Sequence, residues 1–140
     1  MLNTVEATSK LNKNWKIHYI EDNQADIELI NELLLDSSLN GLKISSSNKL
    51  QDGLDYLQKN KVDLILLDLS LPDCTGYKTV EKIKLIAPDI PVIILTGSSL
   101  QRESLRQCIS SSETYLVKGE IDSDSLASAI IRAIQSEHNF

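Results

Sequence analysis

No cluster of Lys or Arg stands out anywhere in the chain, and the balance is acidic: 14 basic against 20 acidic residues, a net charge of -6 and a pI near 4.8. Such a chain offers no general field to attract a polyanion, so direct nucleic-acid binding is not expected. Cysteine is nearly absent. Cys74 and Cys108 have neither a CxxC spacing nor nearby histidine pairs, so they read as small hydrophobes in a reducing cytoplasm, with a zinc site or a disulfide as the lesser alternative. The opening MLNTVEATSKLNKN has no apolar signal-like core, and no later run nears the roughly 20 apolar residues of a membrane span. A soluble, cytoplasmic protein with no membrane partner is expected. Internal repeats are lacking, and the short runs Ser45-Ser46-Ser47 and Ser110-Ser111-Ser112 read as loop or helix-end serines.

What is present is an alternation. Residues 1–14 are polar and without period, which predicts a flexible leader, and one domain is expected over 15–140. Within it, apolar runs at 16–20, 42–45, 62–67, 92–95 and 115–117 read as strands. The third and fourth are almost wholly aliphatic, as strands covered on both faces are. Between them Ile27, Ile30 and Leu34 recur at helical spacing, then Leu50, Leu54 and Leu57, and finally Leu126, Ile130, Ala133 and Ile134. Weaker helices fit 75–84 and 102–109, the latter with Leu105, Cys108 and Ile109 as its buried stripe. Strand and helix alternate five times, which implies an α/β fold: a doubly wound parallel sheet with helices on both faces. The alternation does not determine strand order; the flavodoxin-like order 2-1-3-4-5 is one common arrangement.

In open sheets of this kind ligands collect beyond the carboxyl ends of the strands. There the sequence places Glu21-Asp22-Asn23, Asp68, Thr96-Gly97-Ser98 and Lys118-Gly119. Singly, each has a structural explanation: Asp22 or Asn23 caps a helix, Asp68 begins a turn with Pro72, Thr96 caps a loop, Lys118 is a solvated charge. Together they call for another one. Carboxylates brought to one edge repel, so they need a counter-charge. Mg²⁺, which prefers oxygen ligands, suits Glu21, Asp22 and Asp68 better than zinc does, since no His or Cys stands nearby. Lys118 adds an ammonium and Thr96 a hydroxyl donor. A carboxylate nucleophile with these partners is equipped for phosphoryl transfer.

The strings IHYIEDNQAD, LILLDLSLPDCTGY, VIILTGSS and YLVKG resemble the four signatures of the response-regulator receiver domain, in the right order. The resemblance implies the five-stranded 2-1-3-4-5 sheet and Mg²⁺ as cofactor. By it, Glu21 and Asp22 match the acidic pair, Asp22 as direct metal ligand and Glu21 acting largely through water, and Asp68 matches the phosphoacceptor. Ser70 matches the position whose backbone carbonyl completes the metal shell, and Pro72 and Gly76 match the turn that follows. Thr96 matches the switch hydroxyl, Lys118 the phosphate-binding lysine and Tyr115 the aromatic coupled to Thr96. Ser70 and Ser98 occupy positions that tune water access to the phosphoryl group. Two positions depart from the pattern: the acidic pair is Glu-Asp, and Gly119 follows Lys118 where the family usually has proline. The implied function is that of a single-domain response regulator, not a turnover enzyme, phosphorylated on Asp68 by a histidine kinase or phosphotransfer protein. It would signal to a protein target or a homodimer by repacking the surface of the fourth helix (102–109), fifth strand and last helix.

Three other readings are weaker. A pseudo-receiver, an interaction module that is never phosphorylated, would not need the full set of site residues. An aspartate-nucleophile phosphatase needs a second acid just after the nucleophile, where Leu69 and Ser70 stand. A flavin or nucleotide binder needs a glycine-rich cradle after the first strand.

Overall fold

A computed structural model describes residues 11–97 and 114–138. Its centre is a five-stranded parallel sheet of β1 (Lys16–Ile20), β2 (Lys43–Ser47), β3 (Leu64–Asp68), β4 (Val92–Thr96) and β5 (Thr114–Val117), in the order β2-β1-β3-β4-β5. Four described helices accompany it: α1 (Gln24–Leu35), α2 (Leu50–Lys59), α3 (Tyr77–Ile86) and α4 (Ser123–His138). The doubly wound sheet expected from the alternation is thus present. The helix expected over 102–109, with Leu105, Cys108 and Ile109, lies outside the described residues, as do Ser98 and Ser110–Ser112.

The aliphatic strands are buried on both faces because successive side chains point to opposite sides. Ile17, Tyr19, Leu64, Leu66, Ile93 and Leu95 pack with Ile27, Ile30 and Leu34 of α1 and Leu126, Ile130 and Ile134 of α4. Ile20, Ile65, Leu67 and Ile94 pack on the other side with Leu50 and Leu57 of α2 and Val80 and Ile83 of α3. The helical spacings seen in the sequence are therefore the stripes that meet the sheet. No described helix is long and apolar enough to cross a membrane.

Several boundaries differ from expectation. Leu11–Asn12, assigned to the leader, pairs in parallel with Leu39–Asn40, and the Lys13 amide donates to the Asn40 carbonyl at 2.8 Å, so this short stretch is held by backbone pairing. The ordered unit thus reaches upstream of Trp15. The strand expected at 42–45 runs on through Ser46 and Ser47, so the serines of this run belong to β2 and not to a loop. They sit on an edge strand, and the hydroxyls of Ser45 and Ser47 hydrogen-bond the two ring nitrogens of buried His18 at 2.6 and 2.7 Å. The third helix begins at Tyr77 instead of Thr75. Ser70–Leu71 and Cys74–Thr75 form a short antiparallel pair, and Gly76 follows at φ 74°, a left-handed conformation that suits glycine and breaks helical continuity.

That hairpin also ties the end of β3 to α2. Lys49, at the α2 N-cap, makes no side-chain cap bond; instead Asp73 accepts from the amides of Leu50 and Gln51 at 2.8 and 3.0 Å. Two of the orphan donors of the helix are satisfied from a distant loop. Burial acts to raise the Asp73 carboxyl, but the amide bonds from Gln51 and Leu50, with the charge of Lys49, together outweigh it and hold the group below its ordinary value.

Candidate functional site

Because β1, β3, β4 and β5 run parallel, their carboxyl ends share one edge of the sheet. Glu21 follows β1, Asp68 ends β3, Thr96 ends β4 and Lys118 follows β5. Register makes the neighbours: Asp68 pairs with Leu95 and Thr96 with Val117, and the Lys118 amide donates to the Thr96 carbonyl at 2.8 Å. Glu21, Asp22 and Asp68 each present a carboxylate oxygen within 4.8 Å of the others. Glu21 and Asp68 are buried, while Asp22 is exposed.

Lys118 reaches the same edge. Its Nζ lies 2.7 Å from Glu21 Oε1, 2.8 Å from Asp26 Oδ2 and 3.3 Å from Asp68 Oδ1. Burial works against its charge, but the hydrogen bonds to Asp26 and Glu21 and the charge of Asp68 outweigh it and hold the ammonium above its ordinary pKa. Glu21, only 1% exposed, accepts from the Tyr19 hydroxyl at 2.8 Å and from the Asn23 amide at 3.3 Å. Burial still raises its pKa, with Asp68 adding to the rise and Lys118 and Tyr19 opposing it. Burial and the neighbouring Glu21 charge push the Tyr19 hydroxyl upward too, so it stays a neutral donor.

The donor set fits a hard cation. All three carboxylates offer oxygen, two are withdrawn from water, and among the described residues no His or Cys joins the cluster. Cys74 is a free, half-buried thiol and Cys108 lies outside the described residues.

The other sequence-predicted residues within the described segments are placed as follows. Ser70 is exposed and its amide donates to Asp68 Oδ2 at 3.1 Å, fixing the carboxylate from the residue whose carbonyl was expected to serve a metal. Thr96 is buried and its hydroxyl donates to the Leu116 carbonyl at 3.4 Å. Tyr115 is half-buried against the α2–α3 core. Lys118 reaches the site with Gly119 behind it, and no cis peptide occurs among the described residues. Asn23 does what the structural explanation asked of it, capping α1 by accepting from the Asp26 amide at 3.0 Å.

Two site residues escaped the sequence reading. Tyr19 looked like any apolar strand residue, although its place two before Glu21 puts both on the same face. Asp26 looked like an ordinary acidic residue in a first helical turn, where the helix dipole favours it, and its meeting with Lys118 across 92 residues left no local signal.

Comparison with known proteins bears on this geometry. A family profile described as the response regulator receiver domain matches residues 17–131. The chain is 29% identical over 117 residues to the sensor histidine kinase RcsC of Salmonella typhimurium, covering 84% of this chain and 12% of that protein. It is 30% identical over 103 residues to the cell cycle transcriptional regulator CtrA of Caulobacter vibrioides, covering 74% of this chain and 43% of that protein. The chain thus spans less than half the length of these curated relatives. Among solved structures, a response regulator receiver domain protein from Clostridium thermocellum is 28% identical with a TM-score of 0.71, over 89% of this chain and 97% of that one. The receiver domain of sensor histidine kinase PA1611 from Pseudomonas aeruginosa, solved with a magnesium ion coordinated in its active site cleft, is 25% identical with a TM-score of 0.72, over 86% and 98% of the two chains.

Proposed function

The chain belongs to the response regulator receiver domain family, and on that footing we propose that it is phosphorylated on Asp68 by a histidine kinase or phosphotransfer protein in a Mg²⁺-dependent step. The observation that carries this reading is the junction of three carboxylates within 4.8 Å with an ammonium 3.3 Å from Asp68. In the transfer an Asp68 oxygen forms a bond to phosphorus as the bond to the donor imidazole nitrogen breaks, and that nitrogen leaves with the electron pair. Asp22, Asp68, the Ser70 carbonyl and, through water, Glu21 would hold the metal. When bound, it neutralises charge on the phosphoryl oxygens. Ser70 orients the nucleophile through its amide, and Lys118 supplies a positive charge beside Asp68.

The new group carries up to about two negative charges and draws the Thr96 hydroxyl and Lys118 toward it. Thr96 movement frees space for Tyr115 and biases the surface of β5, the last helix and residues 102–109 toward a second arrangement. Output then passes to a protein target, a second copy or onward phosphotransfer. The chain changes only its own phosphorylation and does not turn over a substrate. The signalling unit takes in residues 15–140, with the pairing at Leu11–Asn12 attached to it, and works in the cytoplasm.

Incubation with acetyl phosphate, with and without Mg²⁺, tests this by intact mass. Wild type gains one phosphoryl group only with Mg²⁺, and Asp68→Asn gains none. Modification indifferent to both would remove the reading, and complete inertness would leave the pseudo-receiver in its place.

A further inference from the structure

Asp26 lies outside the Glu21–Asp22–Asp68 cluster, yet it makes one of the two shortest contacts of the Lys118 ammonium. That group has three N–H donors. Glu21 at 2.7 Å and Asp26 at 2.8 Å hold two of them, and Asp68 is the more distant carboxylate at 3.3 Å. Asp26 is well anchored for this purpose, because its own amide is bonded to Asn23 Oδ1 in the first turn of α1. Beyond the lysine the chain turns on a bond from the Glu120 amide to the Val117 carbonyl at 3.0 Å, and a Cβ placed on Gly119 would meet no atom within 4 Å. Lys118 is therefore aimed by its two short bonds more than by the packing of the loop behind it.

We propose that Asp26 is a positioning residue that holds the Lys118 ammonium back from Asp68 in the unphosphorylated chain and so opposes the phosphorylated state. This rests on the receiver reading above. A phosphoryl group on Asp68 brings oxygens that compete for the same ammonium, and Asp26 both shares that ammonium and adds a negative charge beside the incoming ones. Asp26 is 32% exposed, so its hold is that of a partly solvated ion pair, and its removal shifts the equilibrium roughly two- to fivefold.

The test is a titration of the full chain with beryllofluoride at saturating Mg²⁺, read by the ¹⁹F resonances of the bound mimic, for wild type, Asp26→Asn and Asp26→Glu. Asp26→Asn should bind the mimic about two- to fivefold more tightly and lose its phosphoryl group more slowly after acetyl phosphate treatment, while Asp26→Glu stays near wild type. Loss of a merely structural contact would leave affinity unchanged or weaken it. Unchanged or weaker binding by Asp26→Asn, with a melting temperature like that of wild type, overturns the proposal but leaves the receiver reading intact. A wild-type chain that takes neither the mimic nor a phosphoryl group removes both.

Discussion

The imidazole of His18 lies wholly inside the protein, stacked on the Tyr56 ring at 3.9 Å between centroids and bonded at both nitrogens to serine hydroxyls. Burial pushes its pKa from 6.5 down to about 4, so the folded chain holds it neutral where the unfolded chain would protonate it. Its contribution is complete above pH 6.5 and drains away as pH falls toward 4, a loss of about 3 kcal/mol at most. Urea unfolding of wild type and His18→Phe across pH 7 to 4.5 checks this. The variant keeps the ring stack and leaves the carboxylates in place, so its stability should fall less steeply over that window. Equal slopes would show that His18 does not set the acid sensitivity.

Helix α2 shows how closely one element is fitted to the sheet. Gly53 faces the β1 residue Ile20, and a Cβ there would come within 2.5 Å of Ile20 Cδ1 and 2.9 Å of Cγ1. Alanine is the better helix former by about 1 kcal/mol, but Ile20 is fully buried and has little room to yield, and overpacking costs roughly 1–3 kcal/mol. Gly53→Ala should therefore lower stability by about 1 kcal/mol in chemical denaturation, against the propensity scale. A stabilised variant would mean that the helix stands off from β1. Since Ile20 immediately precedes Glu21, displacement of Ile20 by the added Cβ should also weaken binding of the phosphoryl mimic.

Across the whole domain, the acidic edge is a place where folding gathers charge. Glu21, Asp22 and Asp68 converge there, and the Lys118 ammonium is shared among Glu21, Asp26 and Asp68. A divalent cation that binds the folded chain alone must raise its stability, by about 2.7 kcal/mol at a hundredfold excess over its Kd. Thermal unfolding with increasing MgCl₂ should show a rising midpoint in wild type. Asp22→Asn, at an exposed position, should fold as before and lose most of that rise. A rise of equal size in the variant would place the ion elsewhere.

The amino-acid order by itself determined the class of fold and the chemistry at the strand ends. Both are local: aliphatic runs of strand length, helical stripes such as Ile27-Ile30-Leu34, and a polar residue just after each run can be read without knowing what they touch. The same reading ended the second strand at Ser45, short of Ser46–Ser47, and put Leu11–Asn12 in the leader, because these segments are held by partners distant in sequence, β1 with His18 and the Leu39–Asn40 pair respectively, and such a partner leaves no period in the segment it holds. Only the tertiary structure decided that Tyr19 and Asp26 belong to the site. The parallel register brings Lys118 to Glu21, and the start of α1 brings Asp26 to the same ammonium; convergence of groups 92 residues apart is a property of the packed sheet and not of any stretch of chain.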